Sequence, residues 1–321
     1  MNALATILFG PDRGINVLGL DWNHLIVLDA CRCDIFERVY RKFFPLATGF
    51  KCIISPASST MEFVRKNLDG NIEKKLKDVV FVNSNPMIDH VLGARLKKLF
   101  YKYIPVWRKY WDSEIGTVRP EDTYYVALKT YVRNPGKRMF IWFLQPHYPY
   151  VDKRFNHINA LGREFMNRAL YYDTSSNNLL ALIKIAKNLL RKGYLCAGIP
   201  DKICEYAHQT PSEIIKAYIV NLLSVLYYVR KLVEILPGKI VVTSDHGESF
   251  GEPLNKLVSL PVYGHPSRIK ISSLIQVPYL EVKNSIQYQE AIRKALKLLL
   301  TRLKDTNTFY KTGRSNVSVR Q

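Results

Sequence analysis

Asp245 and His246 stand side by side directly after the apolar run 239–243, and Gly247 follows at once. A carboxylate oxygen and an imidazole nitrogen together suit a borderline divalent cation such as zinc or manganese. Paired metal-ligand types at a strand end have few structural uses, so this is the most specific chemical signal in the chain. Three further stations occupy comparable places. Leu28-Asp29-Ala30-Cys31-Arg32-Cys33-Asp34 follows the first predicted strand. Ser55-Pro56-Ala57-Ser58-Ser59-Thr60 is a hydroxyl-rich turn running into a predicted helix. Gln145-Pro146-His147-Tyr148-Pro149-Tyr150 follows another strand, and Gly264-His265-Pro266 comes shortly after the Asp-His pair.

Each station has a chemical use. Asp29, Asp245 and His246 offer hard and borderline ligands for one metal. A hydroxyl at a helix start lies where backbone N–H groups and the helix dipole favour negative charge. Beside a metal it ionises near neutral pH and becomes a nucleophile. His147 and His265 could bind the other oxygens of a tetrahedral anion or hold a second metal, and Arg32 could add charge-assisted hydrogen bonds. Taken singly, each feature has a commoner structural use, since Asp, Ser and Thr usually cap turns and helices. Four stations together, all at strand ends or helix starts, favour the chemical reading.

The elements that must position them are short apolar runs alternating with periodic segments. Runs 24–28, 79–82, 139–144, 240–243 and 277–282 predict strands. Segments 61–68, 88–103, 163–170, 176–191, 211–236 and 287–304 predict helices, the fifth opened by Pro211 and stopped by Pro237-Gly238. The order argues for an α/β fold, a three-layer α/β/α arrangement with a central, mostly parallel sheet. Ligands in such sheets are met at the carboxyl ends of the strands. A single domain over 1–304 is expected, with a helical insert at about 84–135 and a polar, frayed tail at 305–321. Segment 95–111 interleaves bases with aromatics. A membrane surface or single-stranded nucleic acid could use that pattern, but aromatics in the core and bases in water explain it more simply.

The chain of 321 residues is 47% apolar, enough for a sizeable core, and carries 47 Lys and Arg against 27 acids, a net charge of +20. That field attracts anions: phosphate-ester substrates, an anionic membrane face and, less favoured here, nucleic acid. The five cysteines are odd in number and without a Cys-x-x-Cys pair, so free thiols in a reducing cytosol are the expectation. The apolar start lacks a basic region and a long apolar stretch, and no uninterrupted run approaches ~20 apolar residues. A cytoplasmic chain, at most peripheral to a membrane, is expected.

Five motifs carry a family resemblance: LIVLDACRCD at 25–34, SPASSTMEF at 55–63, FLQPHYPY at 143–150, VVTSDHGESFGE at 241–252 and YGHP at 263–266. The chain resembles the alkaline phosphatase superfamily over residues 25–282, within it the sulfatase-like hydrolases that include phosphoethanolamine and phosphoglycerol transferases, and most of all archaeal sulfatase-like proteins. The resemblance implies an alkaline phosphatase-like α/β domain and a divalent metal, zinc or manganese ahead of calcium or magnesium. It implies metal ligands Asp29, Thr60, Asp245 and His246, and a covalent phospho-threonine on Thr60, with Ser59 the fallback among three adjacent hydroxyls. His147 and His265 match substrate-contacting histidines. The implied activity is a phosphoric-ester hydrolase or phosphotransferase. Two alternatives stand beside it: a sulfuric-ester hydrolase without formylglycine, and a catalytically retired protein that binds anions, nucleic acid or membrane surfaces. The Cys-x-Pro-x-Arg pentapeptide of true sulfatases is absent, which favours phosphate over sulfate. The Asp and His four apart that serve a second metal in two-metal members are absent too, which leaves that metal open.

Overall fold

The computed structural model describes residues 14–68, 72–168, 170, 192–256 and 258–313, with side chains to 302. Among these residues a seven-stranded sheet forms the middle of the molecule. Its order is β2 (Gly49–Ile54), β12 (Gln276–Asn284), β9 (Gly238–Thr243), β1 (His24–Asp29), β7 (Arg138–Pro146), β3 (Val79–Asn83), β4 (Lys102–Pro105). β1 pairs in parallel with β7 and β9, and β3 with β7 and β4, while β12 runs against both its neighbours.

Alternating side chains send each strand's apolar residues to opposite faces. Ile26, Leu28, Val80, Val82, Ile141 and Phe143 join one core. It is covered by α1 (Cys33–Phe43), α3 (Pro120–Arg133), α5 (Pro211–Val233) and α6 (Tyr288–Gly313). Leu25, Val27, Phe81, Phe140 and Trp142 join the other core, under α2 (Thr60–Asn67) and short helices. The layers are therefore α/β/α, as expected, and burial on both faces is why the central strands read as continuous apolar runs.

Two smaller sheets complete the frame. β8 (Leu195–Ala197), β10 (Ser249–Pro253) and β11 (Pro261–Gly264) form a three-stranded sheet, with α4 (Asp201–Gln209) against it, and β5 (Trp111–Asp112) pairs with β6 (Thr117–Val118).

Several sequence expectations change. The helix expected over 88–103 breaks at Gly93, whose φ of 49° ends Pro86–Leu92, and resumes only as Arg95–Leu99 before β4. The segment 84–135 therefore contributes a sheet edge and a hairpin as well as α3. In 95–111, Leu96, Leu99 and Phe100 are buried and Lys97 and Lys98 exposed, but Tyr103, Trp107, Tyr110 and Trp111 are only half-buried and Tyr101 is exposed, so the aromatics enter the core only in part. The helix expected over 176–191 lies outside the described residues. The last helix runs to Gly313, past the expected end at Lys304 and into the stretch expected to fray.

The cysteine expectation is overturned. Cys33 bonds Cys52 and Cys196 bonds Cys204, and Cys31 stays a buried thiol. The partners lie 19 and 8 residues apart with no motif between them. Only the fold brings them together.

Candidate active site

β1 and β9 end side by side, and their last residues begin the site. Asp29 closes β1. Ala30 follows in the left-handed region, φ 58°, a conformation that costs a non-glycine residue energy and recurs where function requires it. The turn lets the Ala30 N–H donate to Asp245 Oδ1 at 3.1 Å. Next door the Cys31 N–H donates to Ser244 Oγ at 2.8 Å. The Tyr218 hydroxyl of α5 donates to Ala30 O and accepts from the Arg32 N–H.

The hydroxyl turn arrives from the edge of the sheet. Ser59 caps α2, so Thr60 is its first residue. The three adjacent hydroxyls then part company. Ser58 Oγ lies 2.9 Å from Pro266 O, and Ser59 Oγ lies 2.6 Å from Ser267 Oγ. Thr60 Oγ1 donates to Asp245 Oδ2 at 2.8 Å and lies 3.3 Å from His246 Nε2. Glu62, two residues on, accepts from the Ser58 and Arg268 N–H groups and pairs with Lys66 and Lys270. It thereby ties the Thr60 turn to the loop after His265.

Asp29, Asp245 and His246 are buried and offer ligand atoms within 4.8 Å of one another. His246 Nδ1 bonds Gly247 O at 2.7 Å, which leaves Nε2 toward Asp245 Oδ2 at 3.2 Å and Asp29 Oδ1 at 3.9 Å. Asp29 Oδ2 accepts from Asn85 at 2.6 Å and from the Trp142 indole at 3.0 Å. Burial, and then the Asp245 carboxylate, push the Asp29 carboxyl up to about 8. Burial pulls the His246 imidazole down, but Asp245 and Asp29 outweigh it and its pKa is raised. The raised Asp29 carboxyl reflects two acids crowded in one buried place, and the donor set of two carboxyl groups, an imidazole and a hydroxyl fits zinc or manganese.

A second cluster adjoins the first. His147, Glu248 and His265 are buried and also offer ligand atoms within 4.8 Å of one another. The His265 ring lies 4.6 Å from that of His246 and 4.9 Å from that of His147, between centroids. His265 Nδ1 sits 3.2 Å from Glu248 Oε1, and Glu248 is pushed up to about 7 by burial. Burial and the neighbouring imidazoles lower His147 to about 3 and His265 well below its usual value, so both rings are neutral. The loop carrying His147 is held by Asn221 of α5, which donates to Pro146 O, His147 O and Pro149 O and accepts from the Val151 N–H.

Five of the expected site residues besides Thr60 thus converge: Asp29, Asp245, His246, His147 and His265. Arg32 is near but occupied, since its guanidinium pairs with Asp34 and Glu252 and donates to Glu248 O. The roles of Glu248, Asn85, Trp142, Tyr218 and Asn221 were not read from the sequence. Glu248 stands inside the motif at 241–252, and Asn221 is a polar residue within the predicted helix 211–236. The others gave no signal.

The sequence matches no protein-family model and no curated protein. Solved structures do share the fold. The soluble domain of lipooligosaccharide phosphoethanolamine transferase A from Neisseria meningitidis superposes with a TM-score of 0.50 at 13% identity, over 85% of this chain and 81% of that one. The integral membrane form of that transferase gives 0.49 at 15% identity, over 85% of this chain and 50% of that one, so the chain spans half its length. The C-terminal periplasmic domain of a phosphoethanolamine transferase from Escherichia coli, in complex with Zn, gives 0.46 at 12% identity, over 86% and 76%. The fold is that of an alkaline phosphatase-like α/β domain. These neighbours are bacterial, and the expected closeness to archaeal proteins finds no support among them.

Proposed function

We propose that the chain is a phosphotransferase or phosphoric-ester hydrolase that works through Thr60. The observation that carries this is the meeting of Thr60 Oγ1 with Asp245 and His246 beside Asp29, at the carboxyl ends of β1 and β9. Asp29, Thr60, Asp245 and His246 would hold a divalent cation, zinc or manganese by donor type. Such a cation lowers the hydroxyl pKa and neutralises charge on phosphoryl oxygens.

The chain's own residues do the rest. The hydrogen bond to Asp245 Oδ2 fixes the Thr60 hydroxyl and gives its proton a base at 2.8 Å. Oγ1 attacks phosphorus as its proton passes to Asp245 Oδ2, the Thr60 O–P bond forms, and the bond to the departing alcohol breaks in line as that oxygen takes a proton from solvent water. Water or an acceptor alcohol then attacks the phospho-threonine, and the Thr60 O–P bond breaks. His147 and His265, neutral and beside the cluster, hold the remaining phosphoryl oxygens or a second cation. Arg32 serves by tying Asp34 and Glu252 around the site. The TM-0.50 neighbour is described as a lipooligosaccharide phosphoethanolamine transferase, which supports an anionic, lipid-linked phosphate ester as the substrate class.

The test is capture of the adduct. Metal-reloaded protein mixed with phosphatidylethanolamine, nitrophenyl phosphate, a matched phosphodiester or a matched sulfate is quenched and mass-mapped. A phosphoryl or phosphoethanolamine mass on Thr60, absent from Thr60→Ala and from chelator-stripped protein, is expected. An adduct on Ser59 moves the nucleophile, and a sulfo adduct changes the ester class. Metal-dependent turnover undiminished in Thr60→Ala overturns the reading.

A further inference from the structure

Among the described residues, part of the last helix's apolar face is left exposed. α6 buries Ala291 and Ala295 and packs along α3. Tyr288 meets Tyr131 near the end of α3, and Arg302 reaches Asp122 in its first turn. The two helices are therefore antiparallel, and α6 climbs toward the end of the sheet that carries the site.

At about 100° per residue, the apolar stripe continues past this contact. From Ala295 it passes through the half-buried Ile292 and Leu299 to Leu296 and Leu300, which are 42% and 58% exposed. Arg293 and Lys297 lie exposed along the far edge of that pair, while Lys294 beyond them is ion-paired with Glu290 at 2.9 Å. A single exposed leucine is ordinary. A leucine pair one turn apart that extends a buried stripe and is bordered by bases has the make-up of an interfacial helix.

The chemistry selects the occupant. Leucines offer nothing to the phosphates or bases of nucleic acid. In a two-fold contact between copies, Arg293 and Lys297 would face their own likeness, and a chain of net charge +20 repels itself. An anionic bilayer takes the leucines into its acyl boundary and pairs the bases with headgroups. We propose that the exposed stripe of α6, Leu296 and Leu300 bordered by Arg293 and Lys297, docks the protein on an anionic membrane surface. This does not depend on the chemistry proposed above.

The experiment is co-sedimentation of the full chain with vesicles of phosphatidylcholine alone and of phosphatidylcholine mixed with phosphatidylglycerol. The wild type is compared with Leu296→Glu/Leu300→Glu and with Arg293→Gln/Lys297→Gln, all first matched for thermal melting and light-scattering mass. The expected result is salt-sensitive binding to the anionic vesicles, weakened about tenfold or more by either double variant, with little binding to the neutral ones. Three results overturn the proposal. One is no binding to anionic vesicles. Another is equal binding by the leucine variant, which would make the attraction one of general charge. The third is a wild-type dimer that the leucine variant splits, which would make the stripe a contact between copies.

Discussion

A Cβ on Gly198 would lie 2.4 Å from His265 Nε2, and the residue sits at φ 86°, where side chains are strained. Gly198 therefore sets how closely the 195–198 segment can back the second cluster. Gly198→Ala is expected to cost about 1 kcal/mol of stability and to lower turnover of the accepted phosphate ester at least about tenfold, with metal content unchanged. Kinetics with a metal count on the same sample check this, and unchanged turnover would show that His265 does not touch the substrate. The ligand types at this scale were legible because strand ends put Asp29, Asp245, His246 and His147 in recognisable places. The hydroxyl register was not, because Ser58, Ser59 and Thr60 differ only in which neighbour each meets. Nor was the engagement of Arg32, whose partner Glu252 lies 220 residues along the chain.

Helices and loops then decide whether these residues stay aligned. α5 is long and apolar enough to cross a membrane by length and composition, yet it packs on α3, α1 and β7, and its Tyr218 and Asn221 clamp the loops after Asp29 and around His147. Asn221→Leu keeps the size but leaves three carbonyls without their donor. It is expected to cost about 1–3 kcal/mol in urea unfolding and to weaken turnover further than that loss explains. Glu62 acts similarly at the start of α2. Burial would raise its carboxyl, but the Ser58 N–H, Lys66 and Lys270 pull it down to about 2. The folded value lies below the unfolded one near 4.5, so the stabilisation is fully present above about pH 4.5 and is lost as pH falls toward 2. The gap in unfolding free energy between wild type and Glu62→Gln, at most about 3 kcal/mol at pH 7, should therefore close on acidification. A gap unchanged down to pH 3 would show that packing, not charge, sets it. Central strands and the Pro211-initiated helix were legible from apolar runs and punctuation. β2 and β4 were not, because edge strands need no continuous apolar run, and β2 leaves half of its residues exposed.

At the scale of the whole molecule, the two disulfides fall on the two halves of the site. Cys33–Cys52 joins the start of α1, just after the Asp29 turn, to the strand that leads into Ser55 and Thr60. Cys196–Cys204 brackets Gly198 and the strand paired with the one ending at Gly264, before His265. Each closes a loop short enough to contribute about 3 kcal/mol through the unfolded chain. Disulfides persist in oxidising compartments and are rare in the cytosol outside hyperthermophiles, so the pairing removes the ground on which cysteine count and spacing had suggested a reducing cytosol. Thiol titration of protein unfolded without reductant separates the two cases: five cysteines less two bridges leave one thiol per chain, Cys31. If one is found, reductant should lower the melting temperature and turnover together. Cys33→Ser/Cys52→Ser should act through the cluster of Asp29 and Thr60 and weaken metal retention, while Cys196→Ser/Cys204→Ser should act through His265 and spare it. Five thiols in freshly isolated protein would mean that the bridges do not form where the chain folds, and the site would then rest on its non-covalent clamps, α5 and Glu62 among them.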